Sequence, residues 1–178
     1  MSEPEPSPKH AGHHHRRGAP SKVAVVVVTV SDSRTSETDT GGALVAELLE
    51  NSGHEVLGRA IVPDDGAAIS GALERALEID ESRAVIFTGG TGIAPRDVTP
   101  DTIEPLLDRT IPGFGEFFRQ LSYEAIGSAA MLSRALGGVA RGRVVFVLPG
   151  SRGAVLLGME KLILPELGHL AGEAVKPR

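Results

Sequence analysis

From residue 22 onward, short β-branched runs alternate with stretches in which apolar residues recur every three or four positions. That alternation predicts strand, helix, strand units and a mostly parallel sheet covered on both faces. Residues 22–31 (KVAVVVVTVS) are continuously apolar in the middle, as expected of a central strand buried on both sides. Leu44, Val45, Leu48 and Leu49 follow at helical spacing and stop at Asn51-Ser52-Gly53. Residues 54–62 read as a second strand. Ile69, Leu73, Ala76 and Leu77 mark a second helix after the Pro63-Asp64-Asp65-Gly66 turn, and 83–88 form a third strand. Thr99-Pro100-Asp101 predicts an N-cap with proline at the first helical position, and Pro105 should bend or shorten the helix it opens. Residues 114–126 and 129–136 read as helical, 143–148 (RVVFVL) as a fourth strong strand, and 151 to 170 as a last helix.

At 178 residues the chain has room for one ordinary domain. Hydrophobic residues make up 41% and aromatics only 3%, so the core must be aliphatic. A formal charge of -5 and few rings disfavour nucleic acid as the partner. The absence of cysteine excludes disulfides, thiolate metal sites and sulfur redox chemistry. No apolar run approaches the roughly 20 residues of a membrane helix. Residues 1–21 are acidic and proline-rich at the start, unlike a secretory signal, so a cytoplasmic location is expected. They have almost nothing to bury and are expected to be a disordered tail, leaving 22–178 as the folded domain. His10, His13, His14 and His15 could meet a metal there, but a cluster on an unstructured tail reads first as solvated.

In an open parallel sheet the ligand crevice lies beyond the carboxyl ends of the strands. The predicted strand exits are Ser31-Asp32-Ser33-Arg34, Pro63-Asp64-Asp65, Thr88-Gly89-Gly90-Thr91-Gly92 and Pro149-Gly150-Ser151. All are small, polar or acidic. The glycines of 88–92 allow backbone N–H groups to turn inward around an anion such as phosphate. Arg96 and Asp97 follow at once; beside a phosphate, the arginine offsets charge while the carboxylate holds hydrated Mg²⁺. Asp64 adds a second carboxylate, although an aspartate in a Pro-Asp turn is by itself usually a turn former. Gly150 lets a ligand approach the backbone, and Ser151 reads equally as contact or N-cap. Ser133-Arg134 is a weaker candidate at a predicted helix end. His54 and His169 have no acid at ligand or triad spacing and read as structural. Neither a GxxxxGK[ST] loop nor a GxGxxG turn after the first strand is present.

TGGTG (88–92), PRDVTPD (95–101), IPGFGEFFR (111–119), AMLSRA (130–135) and LPGS (148–151), with TVSD (29–32) and VPDD (62–65) in order, resemble the MoaB/MogA family of molybdenum cofactor biosynthesis, related to the G domain of gephyrin. The resemblance implies a three-layer α/β/α sandwich with a mostly parallel central sheet. It also implies a homotrimer that binds molybdopterin and, in active members, uses Mg²⁺ and ATP to adenylylate the pterin's terminal phosphate. Carried over by motif, Asp64 and Asp97 are the expected catalytic and metal-binding residues. The loop 88–92, Ser133, Pro149 and Gly150 match substrate-contacting segments, and other molybdenum cofactor enzymes are possible partners. Relatives often read PGNP or PGQP where this chain has Pro149-Gly150-Ser151-Arg152. That departure keeps open a second reading, a paralogue that binds molybdopterin or scaffolds other enzymes without turnover.

Overall fold

The computed structural model describes residues 20–176; residues 1–19 of the expected tail, including its four histidines, lie outside them. Six strands form one sheet in the order β2-β1-β3-β6-β5-β4. β1 (Ala24–Val30), β2 (Glu55–Val62), β3 (Ala84–Thr88) and β6 (Arg143–Leu148) run parallel. β5 (Leu136–Ala140) is antiparallel to β6, and the two-residue β4 (Arg109–Thr110) is antiparallel to β5.

Successive side chains of a strand point to opposite faces, so the apolar run of β1 feeds two cores. Val23, Val25 and Val27, with Ile86, Phe146 and Leu148, pack against α1 (Thr40–Asn51), α4 (Pro112–Ile126) and the C-terminal helices. Val26, Val28 and Val30, with Val85, Phe87 and Val147, pack against α2 (Gly66–Glu78). The result is the three-layer α/β/α sandwich. No helix among the described residues is long and apolar enough to cross a membrane.

Local chemistry sets the helix ends. Asp39 caps α1 and Asp65 caps α2 through side-chain acceptance of Gly42 and Ala68 N–H. α3 (Thr99–Ile103) is only five residues long and tightens into a 3₁₀ turn at Glu104–Leu106, where Pro105 removes a donor. At the C-terminus α5 (Arg152–Gly158) and α6 (Leu164–Ala174) are joined by a π-helical segment, Met159–Ile163, just before Pro165.

Two sequence expectations need correction. The helix expected over 129–136 is a 3₁₀ segment, Gly127–Leu132, followed by β5. Gly137 and Gly138 hide that strand, and both have a steric reason. A Cβ on Gly137 would lie 3.1 Å from the rings of Phe114 and Phe146, which pack 4.8 Å apart between centroids. A Cβ on Gly138 would lie 2.5 Å from a Leu107 methyl and 2.6 Å from the Arg109 carbonyl. The second correction concerns Thr99: it is the first residue of α3, and Val98 occupies the cap position with no side-chain cap bond.

Gly138→Ala is expected to lower the unfolding free energy by about 1–3 kcal/mol in urea titration, because the crowding involves the backbone of a paired strand. Gly58→Ala, which meets open space in β2, should change it by less than about 0.5 kcal/mol.

Candidate active site at the strand termini

The parallel strands end level. Val30 pairs with Val62, Thr29 with Thr88, and Thr88 with Leu148. Their four following segments therefore leave along one rim, and three contacts draw them together. Gly89 N–H donates to Leu148 O at 2.9 Å, Asp64 N–H to Asp32 Oδ1 at 3.0 Å, and Thr88 Oγ1 to Pro149 O at 3.3 Å. Gly89 and Gly90 have φ of +108° and +62°. A Cβ on Gly89 would lie 2.2 Å from Val30 O, and one on Gly90 2.3 Å from Asp64 Oδ1 and 2.2 Å from Thr99 Oγ1. Only glycine fits at either position.

One half of the rim is acidic. Asp64 Oδ1 and Thr99 Oγ1 are buried side-chain atoms with no hydrogen-bond partner, both against Gly90. Burial pushes the Asp64 carboxyl above the usual carboxylate range, the like charges of Asp32 and Asp97 push it further, and Arg96 partly offsets them. Asp97 Oδ2 accepts the Ala94 N–H at 2.9 Å. A carboxylate oxygen and a hydroxyl oxygen aimed into one corner, amid negative charge, are hard donors suited to Mg²⁺, which takes one or two carboxylates and fills the remainder with water and phosphate. Among the described residues no group of three or more His, Asp or Glu side chains stands at metal-binding spacing.

The other half is a small pocket of about 130 Å³ between the exits of β1, β3 and β6 and the start of α1, lined by Ser31, Arg34, Gly41, Thr88, Gly89 and Gly150. Asp39 sets its wall. This 4% exposed carboxylate accepts from Gly42 N–H at 2.8 Å, Thr29 Oγ1 at 2.9 Å and Arg59 Nη2 at 2.8 Å, holding the positive end of α1 toward the pocket.

The expected site residues thus divide. Asp32, Asp64, Arg96, Asp97 and the glycine loop 88–92 meet at the rim, and Ser31, Pro149 and Gly150 border it. Ser151 is the N-cap of α5, its Oγ accepting from Ala154 N–H at 3.3 Å. Ser133 lies apart, in a cleft of about 480 Å³ that also borders α4 and β5. Thr99, Asp39 and Arg59 were missed as site residues, and Arg134 was singled out only as a weaker candidate beside Ser133. Asp39 does carry a local signal, an acid before Thr-Gly-Gly at a helix start; Arg59 carries none, because its partner Asp39 is distant in the chain.

His169 also corrects an expectation: Glu166 stands 3.2 Å from its Nδ1 and Glu173 3.6 Å from its Nε2. It borders a groove with His54, whose Nδ1 accepts the Val23 N–H at the amino end of the sheet, away from the rim.

Fold and rim together define an α/β protein with an oxygen-rich, partly acidic crevice at the carboxyl ends of parallel strands, the usual ligand position of such sheets. Residues 26–169 match the family described as the probable molybdopterin binding domain, and the chain belongs to that family of molybdenum cofactor biosynthesis proteins. It is 51% identical over 160 residues to molybdenum cofactor biosynthesis protein B of Bacillus cereus, covering 89% of this chain and 95% of that one. It is 48% identical over 165 residues to the Bacillus subtilis protein of the same name, covering 92% and 97%. A crystal structure of a molybdenum cofactor biosynthesis protein B superposes with a TM-score of 0.85 at 52% identity, covering 88% of this chain and 98% of that one. The tungsten cofactor synthesizing protein MoaB from Pyrococcus furiosus gives 0.80 at 40%, covering 89% and 100%.

A raised Asp64 pKa means that folding is opposed by the ionised carboxyl. The penalty is absent below the unfolded value of 3.8, grows as pH rises toward the folded value, and is complete above it. Asp64→Asn is therefore expected to raise the urea midpoint at pH 7 relative to wild type, with the difference vanishing below pH 3.8.

Proposed function

We propose that the chain transfers the adenylyl group of ATP to the terminal phosphate of molybdopterin, with Mg²⁺, and so prepares the pterin for metal insertion. The observation that carries this reading is the unpartnered pair Asp64 Oδ1 and Thr99 Oγ1, set among like charges at the strand exits. In the reaction an oxygen of the pterin phosphate attacks the α-phosphorus of ATP. The new P–O bond forms as the bond from the α-phosphorus to the bridging oxygen breaks, and pyrophosphate leaves with that electron pair. No base is needed, because a phosphate monoester with a second pKa of about 6 is already ionised at neutral pH.

Two polyanions must meet, so the chemistry is mostly positioning and charge neutralisation. Asp64 and Asp97 would hold Mg²⁺, which supplies positive charge to the phosphate oxygens. The pocket beside α1 offers the complementary help: backbone N–H groups, the Ser31 hydroxyl and the Arg34 cation. The Ser151 departure does not weaken this reading, because serine and asparagine cap helices about equally well and Ser151 performs that cap.

Pyrophosphate release from ATP is expected only when molybdopterin and Mg²⁺ are both present, and Asp64→Asn or Asp97→Asn should reduce it more than about a hundredfold with the fold retained. Pterin binding without release would instead favour the non-catalytic paralogue. A homotrimer is proposed from the same resemblance, supported by exposed Phe117, Tyr123, Ile126, Met131 and Leu132 on α4 and the 3₁₀ segment after it. Sedimentation at micromolar concentration should show three chains per particle; a monomer overturns this.

A further inference from the structure

The loop that carries Asp97 has little of its own to hold it. Between Gly92 and Val98 it forms no regular element, and residues 93–96 are exposed. Within it, Asp97 N–H donates to Ala94 O and Asp97 Oδ2 accepts from Ala94 N–H, bonds that shape the turn without fixing it to the domain. One residue from elsewhere in the chain supplies that anchor. Arg134 Nε donates to Gly92 O at 2.9 Å, its Nη1 to Asp101 Oδ2 at 2.7 Å, and its Nη2 to the carbonyl of Asp97 itself. Its backbone N–H adds a bond to Thr91 O at 3.3 Å.

A single planar fork therefore ties both ends of the loop, from Gly92 to Asp101, with one donor placed on the peptide of the carboxylate residue. Ser133, whose Oγ accepts from Ala135 N–H at 3.4 Å, shapes the turn that delivers the arginine. Lysine cannot reproduce the pattern. Its ammonium is a point at the end of a flexible stem, whereas guanidinium presents fixed donors in several directions. An arginine kept only for charge would pair with the nearest exposed acid. Here the side chain, 32% exposed, spends two of its three bonds on neutral carbonyls.

We propose that Arg134 is a positioning residue that fixes Asp97 opposite Asp64, and thereby sets the affinity of the rim for a divalent cation. The inference rests on the reading that the rim holds such a cation. Arg134 touches neither cation nor substrate in this role; it acts through the backbone of the loop.

Binding of Mn²⁺ to the full-length chain, read from the free-ion electron paramagnetic resonance signal, tests it. Wild type should bind, and Asp97→Asn should not. Arg134→Lys is expected to weaken Mn²⁺ binding at least about tenfold, the loss typical when a group orienting a metal ligand is removed. Raising Mg²⁺ should restore turnover in Arg134→Lys but not in Asp97→Asn. Asp101→Ala, which deletes only one exposed anchor, should weaken binding in the same direction by less, and gives the answer if the arginine variant does not fold. Equal Mn²⁺ affinity in wild type and both variants, with or without lost thermal stability, overturns the positioning role and leaves the rim reading intact. A wild type that binds no Mn²⁺ overturns the reading beneath it, and the proposal with it.

Discussion

A carboxylate lodged in a crevice with one oxygen unpartnered and two more acids close by is an electrostatic burden that the whole domain must hold in place. Asp64 cannot relieve it by moving. Its own N–H is tied to Asp32, and Gly90 presses against the carboxyl from the exit of β3, two strands over. The strands beneath are clamped between two apolar layers, so the rim is set by the register of β1, β2 and β3 rather than by the loops alone. The unpartnered oxygen is the part of that burden that nothing within the described residues offsets.

Asp39 shows what the same side chain does when its partners are complete. It is more buried than Asp64, yet its oxygens are occupied by a backbone amide, a hydroxyl and a guanidinium. A buried charge with complete partners belongs to the architecture; the same charge with an orphan oxygen marks a place for a ligand. Burial alone would have ranked the two the wrong way round. The count of unmet acceptor sites separates them, and it agrees with the like-charge environment that acts on Asp64.

The sequence made the scaffold and half of the site legible, for identifiable reasons. Val23 to Val30 announced a central strand because both faces need apolar cover, and the exits of the four long strands could be inspected as one set because parallel strands end together. β4 and β5 escaped because two residues are too few to show a period, and because the Gly137-Gly138 pair, required by the rings beneath and the strand beside it, erases the alternation that marks a strand. Ser133 stands in a cleft that borders α4 and β5, a placement the motif alone could not give, because a motif names neighbours in sequence and not in space. Arg134 and Arg59 act over tens of residues, and no local spacing encodes such partners.

The misplacement of Thr99 by a single helical position has the largest chemical consequence. As an N-cap, its hydroxyl would accept a backbone N–H and be consumed by the helix. As the first residue of α3 it leaves the cap to Val98, which has no acceptor to offer, at a cost of about 1 kcal/mol to a helix already short. The Thr99 N–H is instead taken up by Gly90 O at 3.1 Å, which draws the helix start against the glycine loop. That bond turns the hydroxyl toward Asp64 and leaves it unpartnered. A stronger α3 would have satisfied the hydroxyl, so the weakness of the helix and the unpartnered hydroxyl are one feature.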